Sequence, residues 1–269
     1  MPDIFDVSGE VAIITGGMGQ LGRQYAKVLL EHRVKVAIFD IDISRKNVYF
    51  DSQKNNLQLK FYKTDITKKS SIINSLMRVV KDFGWPSALI NNAALDAPPG
   101  SPSGDNGPFE NYPEESWDKV FAVNLKGMFF ACQVVGGSMA NNSGGSIINV
   151  SSVYGNVSPD QRIYSYCRQT GQPFFKPVSY SVTKAGVINL TRYLATYWAG
   201  KRVRVNTLSL GGVFNNQDKR FVREYCRRVP LARMAREDEY NGAVLFLVSD
   251  ASSYMTGANI IIDGGLTAW

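Results

Sequence analysis

Cysteine is scarce in this chain, and what there is argues against a stapled fold. Cys132, Cys167 and Cys226 are odd in number and stand at no metal-like spacing. Neither a disulfide framework nor a metal site is expected, and a reducing compartment fits. Histidine is scarcer: the lone His32 falls at the end of an early helical pattern, far in sequence from every other candidate group. It reads as a surface residue. The first residues carry Asp3, Asp6 and Glu10 with no basic segment, which is not the pattern of a signal peptide. No apolar run reads as long enough to span a bilayer. A soluble, cytoplasmic protein is the expectation. The net charge of +7 is dispersed except in one late cluster, and no nucleic-acid motif accompanies it, so no nucleic-acid partner is expected.

What is there is apolar material in short, spaced runs. Hydrophobic residues make up 44% of the 269 positions, enough for one large core in a single domain. The run 11–14 leads into Thr15-Gly-Gly-Met-Gly-Gln-Leu-Gly22, then into a helical stripe of Leu21, Tyr25, Val28 and Leu29. Strand, glycine loop and helix in that order make a dinucleotide cradle. The glycines let the backbone turn sharply and approach a pyrophosphate, and the helix N-terminus supplies amide donors and partial positive charge. The next run, 34–39, ends in Asp40. A carboxylate there can accept hydrogen bonds from an adenosine ribose diol and would repel a 2′-phosphate. Ile41 follows instead of a basic residue, and Arg45 lies a few positions on. Further strands are read at 57–62, 88–94, 146–152, 203–208 and 259–263. Helices are read at 67–83, 114–124, 126–140, 179–199 and 237–248. Such alternation predicts a parallel sheet with helices on both faces.

The stretch from Ser146 to Lys184 carries the chemistry. An apolar run ends in Ser151-Ser152, and Tyr180-Ser-Val-Thr-Lys184 opens a long helical pattern. Residues four apart share a helix face, so a phenol and an ammonium stand side by side. A nearby positive charge stabilises phenolate, which predicts a tyrosine whose pKa is lowered towards working pH. A serine hydroxyl at the neighbouring strand end can hold a carbonyl or alcohol oxygen.

These pieces, in this order, resemble the short-chain dehydrogenase/reductase family over nearly the whole chain. The carriers are the glycine loop, Asp40, Asp65, Asn91-Asn-Ala-Ala94, Val123-Asn-Leu-Lys126, Ser151-Ser152, Tyr180-xxx-Lys184, Val205-Asn206 with Gly211, and Ile262-Asp-Gly-Gly265. The resemblance implies a single Rossmann-type α/β domain, doubly wound, with seven parallel strands. It implies reversible hydride transfer between a nicotinamide cofactor, NAD in preference to NADP, and a secondary alcohol or ketone. Asn124, Ser152, Tyr180 and Lys184 match the catalytic tetrad. On that match Ser152 holds the substrate oxygen, Tyr180 exchanges the proton, Lys184 grips the nicotinamide ribose and Asn124 holds a relay water. The implied cofactor contacts are Gly16, Gly19, Gln20, Leu21, Gly22, Asp40, Ile41, Asp65, Ile66, Asn91, Asn92, Ala93, Gly211 and Val213, with Tyr180 and Lys184 shared. Pairing of the two long helices beside the site implies a homotetramer or homodimer.

Three departures from the family pattern stand out. The loop reads TGxxGxxG, with Gly19 one place before the usual glycine. Leu210 stands where a proline commonly precedes Gly211. Ser152 and Tyr180 are separated by 27 residues, about twice the family's habit. The insert at 156–178 carries Arg162, Arg168, Lys176, Tyr164, Tyr166, Phe174 and Phe175 against the single acid Asp160. A basic segment at 218–228, inside a lid at about 213–236, adds Lys219, Arg220, Arg223, Arg227 and Arg228. Arginines grip anions and aromatics pack sugar rings, so an anionic carbohydrate is one expectation. An oligomer-contact loop and a solvated helix face are the competing ones. The segment from Phe174 to Tyr180 resembles members of the family associated with surface-carbohydrate pathways. A silent NAD-binding regulator, or a reductase of an acyl thioester or steroid, remains the alternative.

Overall fold

The computed structural model describes residues 3–53, 55–97, 106–142, 144–168 and 174–269. Most of the Pro- and Gly-rich segment after residue 97, read from sequence as an irregular loop, lies outside them. In chain order the main elements are β1 (Val11–Thr15), α1 (Gln20–Glu31), β2 (Lys35–Asp40), β3 (Leu59–Lys63), α2 (Lys69–Phe83) and β4 (Ala88–Asn91). Then come the helical stretch α3 (Glu114–Asn141), β5 (Gly145–Ser152), α4 (Val178–Tyr197), β6 (Val203–Leu210), α5 (Lys219–Cys226), α6 (Asn241–Val248) and β7 (Asn259–Ile262).

The sheet has seven strands in the order β3-β2-β1-β4-β5-β6-β7, and every pairing is parallel. Strands buried on both faces read as unbroken apolar runs and not as alternating ones. Ile13, Leu89 and Ile147 pack on one side with Val79, Val135, Met139 and Trp198. Their chain neighbours Ile14, Ile90 and Ile148 pack on the other with Tyr25, Leu29, Tyr240 and Leu247. Strand order reverses between β1 and β4, so a crevice opens beyond their C-terminal ends, where open α/β sheets take ligands. A third apolar cluster joins the insert to the lid: Ile163, Tyr164, Tyr166 and Phe174 against Tyr225, Val229 and Met234.

Two sequence readings are corrected. The pair of helices expected at 114–124 and 126–140 is one continuous stretch, with π-helical segments at Ala122–Gly127 and Cys132–Gly136. Asn124 had read as a terminator because asparagine often competes for its own helix backbone. Here its amide bonds the backbone of Leu95 instead, and the helix runs on. At 28 residues, with one 18-residue window at a mean hydropathy of 1.4, α3 is long and apolar enough by length and composition to cross a membrane, contrary to the sequence reading. Its buried face, Met128, Ala131, Cys132, Val135 and Met139, is packed on the sheet. His32 is exposed at the C-terminal end of α1, its Nδ1 2.8 Å from the Val28 carbonyl. That is the surface role expected of it.

Candidate active site

The glycine loop is braced from two sides. Gly16 adopts φ +62°, and a Cβ there would stand 2.7 Å from the Cα of Ala93. A Cβ on Gly22 would meet the Gly16 carbonyl at 2.4 Å, so the loop folds tightly on α1 only without side chains at these places. Asn92 fastens the loop to the end of β4, its Nδ2 donating to the carbonyls of Gly16 (3.0 Å) and Thr15 (3.3 Å). The amides of Asn92 and Ala93 donate to Thr15 Oγ1. Gly19 begins α1 with no side-chain cap, and the first turn of the helix contains no acid. That terminus, with Gln20 and Leu21 in its first turn, suits a dianionic pyrophosphate by its amides and its dipole.

Asp40 ends β2 beside the loop. Its Oδ2 accepts the amide of Met18 at 3.0 Å and its Oδ1 the amide of Asp42 at 3.1 Å. Ile41 next to it is exposed. Arg45 does not turn towards Asp40: its Nη1 donates to the Tyr49 hydroxyl at 3.2 Å. Arg23 lies over the same ring, 4.1 Å from its centroid. Asp65 caps its own turn by accepting from Thr67, and this bond is the first cause of its lowered pKa. Ile66 is buried against α3. Asn91 departs from expectation. It is buried among sheet residues and donates to Asn149 Oδ1 (2.9 Å) and Cys132 Sγ (3.2 Å), so its side chain serves the core and not the cofactor cleft.

A cleft of about 380 Å³ gathers Gln20, Leu21, Asn92, Ser152, Tyr180 and Lys184 with Gly211 and Val213. Ser152 ends β5, and Ser151 beside it donates to the Lys184 carbonyl at 2.8 Å, locking β5 to α4. Lys184 is buried; its Nζ donates to the Val150 carbonyl at 2.9 Å and lies 5.7 Å from the Tyr180 ring centroid. Burial pushes the Lys184 ammonium down to about 8, opposed by the Asp96 carboxylate. Tyr180 moves against expectation. Burial first, then the Asp96 carboxylate, holds its phenol above the ordinary value, and the hydrogen bond with Ser152 works the other way. The expected lowering does not arise in the chain alone, because desolvation of the phenolate outweighs the Ser152 hydrogen bond that opposes it. Asn124 is fully buried, with both amide hydrogens engaged, to the Leu95 carbonyl (2.9 Å) and Thr183 Oγ1 (3.4 Å). Its amide therefore positions the chain after β4.

The insert divides sharply. Arg162 is 85% exposed and paired with Asp160 at 2.8 Å, outside the cleft, so the expected grip on an anion is corrected there. Arg168's side chain lies outside the described residues. The basic lid face is likewise self-paired: Arg220 with Asp218, and Arg227 and Arg228 with Glu224. What α5 turns to the cleft is Phe221 and Tyr225, and the Tyr225 hydroxyl accepts the Gly212 amide at 2.6 Å. Leu210 completes β6 opposite Ile262, so the missing proline does not break the strand. Lys176 of the insert does reach the cleft, paired there with Asp96 at 2.5 Å. Asp96, Tyr154 and Tyr225 were not singled out from sequence. Asp96 had a usable signal, since it follows the Asn-Asn-Ala-Ala segment at a strand's C-terminal end, where ligands bind.

A family model described as enoyl-(acyl carrier protein) reductase matches residues 17–267. The chain is 30% identical over 286 residues to an NADH-dependent L-xylulose reductase of Ambrosiozyma monospora, covering 98% of this chain and 97% of that protein. It is 34% identical over 269 residues to a 3-oxoacyl-[acyl-carrier-protein] reductase of Thermotoga maritima, covering 97% and 98%. A crystal structure of a short-chain dehydrogenase from Leptospira borgpetersenii with bound NAD+ superposes with a TM-score of 0.86 at 31% identity, over 99% of this chain and 96% of that one.

Proposed function

The chain belongs to the short-chain dehydrogenase/reductase family, and we propose that it interconverts a secondary alcohol and a ketone on a polyol or sugar, with NAD(H) as its preferred partner. The observation that carries this is one cleft holding Ser152, Tyr180 and Lys184 beside the glycine loop. When bound, the nicotinamide cofactor supplies or accepts the hydride. Gly16, Gly19 to Gly22 and Asp40 would hold its dinucleotide, with Asp65, Ile66, Ala93, Gly211 and Val213 as the further contacts that the family pattern implies. Ser152 orients the substrate oxygen. Tyr180, protonated in the pocket built by the chain, gives its proton to that oxygen in reduction and takes it back in oxidation. Lys184 is fixed by the Val150 carbonyl, its Nζ 5.7 Å from the Tyr180 ring centroid.

Acyl thioester reduction is the second reading, favoured by the Thermotoga relative. The polar pair Asp96–Lys176 in the cleft supports the sugar-like reading, because a charged pair lining the cleft offers nothing to an acyl chain. A panel of polyols, ketoses, aldonates and a 3-oxoacyl thioester, followed by NADH and NADPH absorbance, decides between them. A polyol or ketose is expected to give the highest kcat/KM. The thioester winning would hand the site to the second reading, and no turnover of any panel member would remove both.

We also propose self-association through α3 and α4. Phe129, Tyr193 and Tyr197 are exposed on them, along grooves lined by Phe121, Leu125, Leu190 and Trp198. Light scattering at micromolar concentration should give a multiple of 29.8 kDa, four copies being the expectation. A mass equal to the single chain would end the idea.

A further inference from the structure

Among the described residues of the 156–178 insert, Lys176 is the one that brings a charge into the cleft. Its side chain is 8% exposed, against 43% for its partner Asp96. The ammonium lies 4.6 Å from the Tyr180 ring centroid and 6.0 Å from that of Tyr154. It therefore stands beside the group that exchanges the proton, closer to the ring centroid than Lys184 at 5.7 Å.

The pair is not needed to fasten the insert. Gln161 already holds the Lys176 backbone, its Oε1 accepting the amide at 2.9 Å and its Nε2 donating to the carbonyl at 3.4 Å. Asp160 ties the insert to the lid through Arg228 at 2.6 Å. Tyr164 packs on Phe174 and on Phe221, with centroids 4.6 and 5.7 Å apart. With the insert tied to the lid at two other places, by Asp160 and by Tyr164, a buried lysine drawn into the cleft is costly unless it meets something there.

We propose that Asp96 and Lys176 together read the hydroxyl next to the reacting carbinol, making a neutral vicinal diol the preferred substrate and disfavouring carboxylate or phosphate esters of it. The proposal rests on the reading of this cleft as a hydride-transfer site. An ammonium carries three hydrogens and a carboxylate about four lone-pair positions, so the pair, after bonding to itself, presents donors beside acceptors. A hydroxyl is both donor and acceptor and satisfies such a pair. An anion would satisfy Lys176 but would stand against the Asp96 carboxylate, where like charges repel. The pair sums to zero charge, and Arg162 and the lid arginines, which would have favoured an anion, are engaged outside the cleft.

The test compares wild type with Lys176→Met, which keeps length and tolerates burial, and with Asp96→Asn, which keeps shape; a thermal melt checks that each folds. Xylitol and gluconate serve as the neutral and anionic probes. Both variants should raise the xylitol KM about 10- to 100-fold, the loss expected when a hydrogen bond to a charged group goes; Asp96→Asn should also shift the pH profile of kcat, because the Asp96 carboxylate helps to keep Tyr180 protonated. Lys176→Arg should recover part of it. Asp96→Asn should lower the gluconate KM relative to wild type. Wild type preferring gluconate to xylitol overturns the proposal. So do variants that shift only the pH profile of kcat, since the pair would then act on Tyr180 and not on substrate. If wild type oxidises neither probe nor any panel member, the hydride-transfer reading fails. Calorimetric binding of xylitol then tests the pair directly: binding weakened in Lys176→Met sustains it, and equal or absent binding in both proteins refutes it.

Discussion

Tyr180→Phe should lower kcat by about two to four orders of magnitude, the usual worth of a placed general acid or base, while the dissociation constant for NADH stays nearly the same. The hydroxyl is the only atom removed. It is buried, bonded with Ser152, and kept protonated by burial and by the Asp96 carboxylate. Ketone reduction therefore has its acid in place at neutral pH. Alcohol oxidation needs the phenolate, so its rate should climb as pH rises and protonated Tyr180 is depleted. The glycine loop and Asp40, which would hold the dinucleotide, do not touch this hydroxyl, so binding has no reason to change. A Tyr180→Phe protein keeping more than about a tenth of wild-type kcat would put the proton elsewhere. Lys184→Ala differs in kind. It removes the only polar group that reaches from α4 to the Val150 carbonyl, so both kcat and NADH affinity should fall, read by stopped-flow turnover and fluorescence titration.

The second large effect concerns cofactor choice. Wild type should favour NAD over NADP by about 100-fold in kcat/KM, because a phosphate dianion beside an uncompensated carboxylate costs a few kcal/mol. Arg45, the arginine nearest in sequence, bonds the Tyr49 hydroxyl, and Arg23 covers the Tyr49 ring. Asp40 itself is steadied by two backbone amides, those of Met18 and Asp42, so it does not swing aside cheaply. Asp40→Ser keeps a hydroxyl for the ribose and removes the repulsion, and the preference should shrink to within about tenfold. Equal efficiency with both cofactors in wild type would mean that Lys63, opposite Asp40 in the sheet register, or Arg45 released from Tyr49, meets the phosphate.

Local chemistry was legible in the sequence wherever neighbours along the chain decide the outcome. The strands showed as unbroken apolar runs because residues such as Ile13 and Ile14 each face a different packed layer. The glycine loop showed because only Gly16 and Gly22 fit where a Cβ would strike backbone. Tyr180 and Lys184 showed as a pair because a helix repeats nearly every four residues. What folding alone decided involves partners far apart in sequence and the solvent they exclude. Asp96 and Lys176 are 80 positions apart, and no local pattern pairs them. Arg162 read as a substrate anchor until Asp160 and open solvent claimed it. Asn124 read as a helix end until Leu95, from the loop after β4, took up its amide. The pKa of Tyr180 went up, not down, because burial is a property of the packed cleft: the sequence supplies the charge beside the phenol, but only the fold decides how much water is left around it.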